Sequence, residues 1–484
     1  MNLIKTKSDS ADSKPGALIK RKPEKENHED ALRPAGKEKD VALKHKVAFG
    51  GLYLLTLLMY LRPQEVFPRY FGSFPLTKVV AVMTLLIYII SRINAGERLV
   101  NWALELKMAS VMWLTGLLLI PIALSPQDSF DVLFDTFIKT LLIMAMMIVL
   151  IDTRERLRLF LLTMVVCQLL YALNAIKNYM TGNYGQAFGQ RISGWGSMLQ
   201  NPNDLAAVLT LLLPISIYFF LTRRGWKRLF FLWVMGITAG AVLLTYSRSG
   251  FIGTVSLSGL IFWKLYKGKR FKMWFLATIA AVILIAAAPD SYRERLSTII
   301  NPEADQLTSA QERQMLMIKA ADLAFKRAIV GVGIGNFHIY SYKEKAAHNS
   351  FLETAAELGL IGLIAYLLII ISSFRSLWRI ERETAPNAAR PDPEIYKLSV
   401  CLQACFVAYV IYGFFGSVQY LFYLYFTVAY AVALRQIHAT EMSMLGSKAV
   451  NTHGPVPQAQ EKLAGGLLWK PQRLRERWLE NSSR

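Results

Sequence analysis

HNSFLETAAELGLIGLIAYLLIIISSFR, residues 348–375, passes from a polar opening into an unbroken apolar run. The run from 358 to 375 would measure about 27 Å as a helix, close to the ~30 Å hydrocarbon core of a bilayer. Its polar opening has the marks of a helix start. Ser350 followed by Glu353 has the form of a capping box, and Asn349 is an alternative cap. His348 would then stand beside exposed backbone N–H groups, at the positive end of the helix dipole. That field disfavours an imidazolium and leaves a neutral ring able to accept a proton. A histidine at a helix start can also be mere decoration, so the rest of the chain has to decide.

The same kind of apolar block recurs along the chain. The protein has 484 residues, 54% of them hydrophobic, with a mean hydropathy of +0.32. About twelve candidate spans can be read, near 47–61, 75–92, 108–124, 129–151, 157–178, 204–222, 229–245, 249–266, 273–289, 358–375, 398–417 and 419–435. The last two are separated by almost nothing. The predicted class is an all-α polytopic membrane protein with one large, partly helical loop at 290–349.

A net charge of +21 could point to nucleic acid, but the basic residues gather in the short loops on one side of the predicted bundle. Arg223, Arg224, Lys227 and Arg228 form one cluster; Lys267, Lys269, Arg270 and Lys272 form another. The short loops of the opposite side hold Arg62, Arg69, Arg191 and Arg248. By the positive-inside rule both termini lie in the cytoplasm, and the basic balance records topology, with no nucleic-acid partner expected. Residues 1–46 carry twelve basic and eight acidic residues without apolar periodicity and read as a disordered basic cytoplasmic tail. From 436 a second cytoplasmic tail ends in GLLWKPQRLRERWLE, whose Trp469, Leu474 and Trp478 alternate with arginines as in a surface-lying amphipathic helix.

Three segments stand out on the weakly basic side: 62–74, the Gly-rich 180–202, and 290–349. Loops longer than about 15 residues are usually functional or disordered. The longest has internal order, with helical periodicity over 309–327 and a turn-rich GVGIGNF at 331–337. Arg191 lies in GQRISGWGSMLQNPNDLA and Arg248 in the tight hairpin TYSRSG. Guanidinium groups there can snorkel to lipid phosphates, but in Gly/Ser-rich turns they are also suited to bidentate contact with a diphosphate. Arg313, on the loop helix, is a third cationic candidate or a solvated surface residue. Asn201 and Asn203, in the NPND turn, read first as caps of the next helix, with a place at the site's edge as the alternative.

Asp131, Asp135 and Lys139 recur every four residues inside one predicted span, where charges are expensive and often functional. An Asp–Lys structural lock is the simpler reading. Glu357 could line a site or pair with an arginine, and His338 is a second loop histidine without a cap context. Cys167, Cys401 and Cys405 all fall in apolar spans and read as packing residues. No phosphate-binding loop, dinucleotide fingerprint or metal array is present, so neither cofactor nor metal is expected.

The histidine, the asparagine after it, and then glycine, two residues and glycine (His348, Asn349, Gly359 and Gly362) resemble the signature of the bacterial O-antigen ligases and the wider O-antigen ligase/polymerase family. GVGIGNF, the YSRSG hairpin and NPNDLA resemble that family too, and the likeness extends from about 47 to 435. It implies a GT-C-like, metal-independent, inverting glycosyltransferase of lipopolysaccharide or polysaccharide biosynthesis in the bacterial inner membrane. Its donor would be a glycan on undecaprenyl diphosphate, its acceptor hydroxyl that of lipid A–core or another glycan, and its active site would face the periplasm. By the resemblance His348 is the base or the acceptor-orienting residue, and Arg191, Arg248 and Arg313 bind the diphosphate. A polymerase of the same fold would share all of this except the acceptor. A lipid-linked glycan flippase would instead line a central cavity with intramembrane charge and show paired halves; here the charged motifs gather on the loops.

Overall fold

A computed structural model describes residues 45–71, 74–184, 191–266 and 309–452. Among these, secondary structure is helical with no strand. The long helices are α1 (Lys46–Leu61), α2 (Leu76–Asn94), α3 (Leu104–Leu119), α4 (Pro126–Leu150), α5 (Arg154–Met180), α6 (Pro202–Thr222), α7 (Gly225–Leu244), α8 (Arg248–Leu265), α9 (Ser309–Lys326), α10 (Ser350–Thr384), α11 (Pro393–Phe415) and α12 (Phe422–Thr452). Eight of them, α2 to α7 with α10 and α11, are long and apolar enough to cross a membrane. The protein is therefore an all-α polytopic membrane protein. The predicted spans at 47–61, 249–266 and 419–435 also fall on helices, α1, α8 and α12. The span at 273–289 and both polar tails, with the amphipathic stretch at 466–480, lie outside the described residues.

Sequence punctuation starts these helices. Ser125 before Pro126, Asn201 before Pro202 and Asp392 before Pro393 each supply a side-chain acceptor at the N-cap and a proline where no N–H is needed. Ser247 caps α8 without a proline, its Oγ accepting from the Gly250 N–H. Burial then sorts the helices into centre and rim. The most apolar windows of α6 and α11 are 78% and 67% buried, and that of α2 only 11%. Thus α6 and α11 form the middle and α2 faces outward.

Boundaries shifted where two predicted spans meet. Helix α11 ends at Phe415 and α12 begins at Phe422, and α12 runs past 435 to Thr452. The expectation that the last two spans are almost fused gives way to a six-residue connection, 416–421. The Asp131/Asp135/Lys139 face also differs from its prediction. Lys139 Nζ meets Asp135 Oδ1 at 2.6 Å, but Asp131 is bonded by Gln127 Nε2 at 2.9 Å. The reason is winding: Asp131–Phe137 is a π-helix, so a four-residue spacing no longer repeats on one face. The three cysteines are buried and unbridged, as their apolar setting implied.

The described part of the long loop, 309–349, is a folded cap. Ala320 and Leu323 of α9, Val332, Phe337, Ala347 and Ala356 form a small core of their own. Gly331, Gly333 and Gly335 all have positive φ. A Cβ at Gly331 would lie 2.3 Å from Glu357 O, so only glycine permits the backbone approach in which Val332 N bonds Ala356 O and Gly333 N bonds Glu357 O. Helix α10 breaks to receive this strap: Gly359 takes φ 65°, ψ −165°, and Leu360 N reaches Ala328 O at 2.7 Å. Asn336 ties the strap to the start of α4, donating to Ser129 Oγ at 2.9 Å and accepting from Ser125 N at 2.7 Å.

Candidate functional site

Asn349 is the cap of α10. Its Oδ1 accepts from Phe351 N and Leu352 N, both at 3.0 Å. The Ser350–Glu353 capping box is replaced because Ser350 is used elsewhere: it donates to Gly416 O at 2.7 Å and accepts from Val418 N at 2.9 Å. Glu353 reaches past the cap to Ala347 N at 2.7 Å and takes Gln419 Nε2 at 3.0 Å, with Ser417 Oγ as a further donor. The 416–421 connection therefore folds over the first turn of α10.

His348 precedes the cap with φ 53°, a left-handed conformation in which histidine is among the better-tolerated residues. It is half-buried and lines a cavity of about 310 Å³ together with Asn201, Asn203, Asp204, Tyr412 and Ser417. The walls beyond these are apolar, with Val208, Leu211 and Ala408. Burial, then the positive charges of Arg313 and Lys345, push its pKa down from 6.5 to about 4, with Glu312 opposing. The ring is neutral at physiological pH, as the helix-start argument expected, but desolvation is the leading cause.

Arg191 stands behind this cavity. It is 8% exposed, and its Nε donates to Thr245 O at 3.0 Å while Nη2 donates to Asn203 Oδ1 at 2.7 Å. One guanidinium so joins the Gly-rich loop, the NPND turn and the TYSRSG hairpin. Asn201 caps α6 through Asn203 N at 2.9 Å, and both asparagines also line the cavity. Arg248 is the half-buried first residue of α8, three residues from the carbonyl that Arg191 holds. Arg313, half-exposed on α9, acts electrostatically on His348.

Glu357 and His338 line a second cavity, of about 260 Å³, with Glu353 and Gln419. Ala346, Ser417 and Leu421 line both spaces. Glu357 accepts from Phe337 N at 3.1 Å and from Tyr420 OH at 2.8 Å, and it lines this second cavity, not the one beside His348. Asn349 serves as cap, and cavity lining falls to its neighbour His348.

Four residues had no sequence signal of their own: Tyr412, Ser417, Gln419 and Tyr420. They come from the end of α11 and the connection after it, and Tyr412 OH donates to Asp204 Oδ1. The available hint was GFFGSVQY at 413–420, a glycine-flanked polar break between two apolar runs.

No curated protein matches the chain. A family model described as O-antigen ligase matches residues 230–367, the segment that holds Arg248, Arg313, His338, His348 and Glu357. Residues 230–367 are therefore similar to the domain that this O-antigen ligase model describes.

Proposed function

We propose that this protein is an O-antigen ligase-type glycosyltransferase of the inner membrane. In this reading it moves a glycan en bloc from undecaprenyl diphosphate to a hydroxyl of lipid A–core on the periplasmic face, with both termini in the cytoplasm. The observation that carries the reading is the cavity in which His348 meets Asn201 and Asn203, with Arg191 bonded to Asn203 behind it. The apolar wall of α6 and α11 suits a prenyl chain entering from the bilayer.

The acceptor O–H gives its proton to the neutral ring of His348 as its oxygen attacks the anomeric carbon. The new C–O bond forms as the bond from that carbon to the phosphate oxygen breaks, with inversion. Undecaprenyl diphosphate departs, its charge met by Arg191, Arg248 and Arg313. Arg191 would exchange its hold on Asn203 for a phosphate oxygen or steady Asn203 as the contact. The diphosphate is already an activated leaving group, so this scheme needs no metal.

Transfer with purified protein, undecaprenyl-diphosphate glycan and lipid A–core tests the reading. His348→Asn keeps a residue that tolerates the left-handed backbone and removes the base. Loss of transfer is expected, and undiminished transfer would overturn the histidine role. Supplying lipid A–core and a second lipid-linked glycan in parallel, with products read by mass spectrometry, separates the ligase from a polymerase of the same family.

A further inference from the structure

The second cavity plays no part in the diphosphate chemistry, yet buried polar groups stand among its apolar lining. Glu353 and Glu357 present carboxyl groups there, and both are buried. Gln419, 2% exposed, lines the same space, and its Oε1 has no hydrogen-bond partner while Nε2 is committed to Glu353. His338 also lines the space; its Nδ1 donates to Gly335 O at 2.9 Å, and its Nε2 lies 3.6 Å from Asp128 Oδ2.

A buried amide oxygen left unsatisfied is costly, so the site is built for something that donates. The space of about 260 Å³ is several times the ~30 Å³ share of one water. Its far wall, Val132 and Thr136, belongs to the π-wound turn of α4, a distortion found often at functional sites. Acceptors on several sides match a ligand with hydroxyls on several sides, and a pyranose ring is such a ligand.

We propose that this second cavity is the acceptor-sugar subsite: Glu353, Glu357, Gln419 and His338 receive hydroxyls of the terminal sugar of the acceptor glycan. The inference rests on the glycosyltransferase reading and deepens it. The two spaces adjoin at Ala346, Ser417 and Leu421, and Ala346 is two residues from His348. A sugar held in the second cavity would therefore lie next to the space that His348 lines.

Two measurements test it on the full-length protein. In the first, Thr136→Phe narrows the cavity from the π-turn and Gln419→Leu removes the amide. Each is expected to raise the KM for lipid A–core at least tenfold while leaving binding of undecaprenyl diphosphate within twofold. In the second, the unaltered protein is treated with dicyclohexylcarbodiimide and labelling of Glu353 and Glu357 is read by mass spectrometry. Lipid A–core is expected to protect them at least fivefold, and undecaprenyl diphosphate is not. An unchanged acceptor KM in folded variants, or labelling that lipid A–core leaves unaltered, overturns the subsite. Protection by magnesium chloride alone would reassign the acidic pair to a cation and also overturn it. Loss of undecaprenyl diphosphate binding in the unaltered protein would instead count against the glycosyltransferase reading.

Discussion

Helix α10 has buried carboxylates at both ends and satisfies them by opposite means. At its start Glu353 and Glu357 are held by backbone N–H groups, an amide and hydroxyls. At its finish Glu381 is paired with Lys264, and Gln403 bridges the two, at 2.8 Å to Lys264 and 2.9 Å to Glu381. The ion-pair pattern spreads across that end of the bundle. Arg435 grips Glu105 in bidentate fashion at 2.8 and 2.9 Å, Arg154 meets Asp392 at 2.7 Å and also pairs Glu441, and Arg158 holds Glu394. Removing one member of a buried ion pair strands the other, so such a lattice fixes helices relative to one another. Neutral donors can be exchanged for a ligand's donors at little net cost. One end is therefore fastened and the other remains able to bind.

Substitutions that act at only one end would sharpen this contrast, and those that act at both would break it. His348→Asn should have the largest effect, a loss of transfer of about 10²–10⁴-fold with thermal unfolding unaltered at neutral pH. Lys264→Met should do the reverse. It leaves Glu381 buried without its cation, at a cost on the order of 3 kcal/mol, read as earlier unfolding, while the folded fraction keeps its transfer rate per molecule. Gly359→Ala should cost about 1–3 kcal/mol, because a Cβ there lies 2.6 Å from Ile329 O and the break in α10 cannot close. Asn349→Ala should cost only about 1 kcal/mol, again read by thermal unfolding.

Acidity gives the mildest test. With the His348 pKa lowered to about 4, a pH–rate profile of transfer should show no acid limb from this ring until near pH 4. Arg313→Ala removes one of the charges that lower it, so the limb should move to higher pH. The stability consequence has a definite sign. Between about 4 and 6.5 the unfolded chain binds the proton and the folded chain does not, so stability from this group rises with pH and is complete above 6.5. Unfolding temperature measured across that window in protein and in His348→Asn isolates the contribution.

Much of this molecule is legible in the chain because the bilayer enforces a simple code: apolar length marks the helices long enough to span it. The helix starts at Asn201–Pro202 and Asp392–Pro393 are equally local, since cap and proline act within one turn. Other features depend on contacts between distant segments. Ser350 and Glu353 fit a capping box by spacing, yet both are claimed by residues 416–419, more than sixty positions away. Asp131, Asp135 and Lys139 fit an α-helical face, but the π-winding that separates Asp131 from the pair shows only in the folded backbone. Arg191 stands out in sequence as a cation in a Gly-rich turn. That it also fastens Asn203 and Thr245 could be learned only by folding the chain.

The connection over α10 has a consequence for biogenesis. Residues 408–423, which supply a wall of the first cavity, leave the ribosome after Arg191 and His348. A nascent chain that already carries His348 and Arg191 still has no closed compartment around them. The cavity thus closes only once the hairpin of α11 and α12 has been made, and a chain stopped short of it carries the imidazole without the wall beside it.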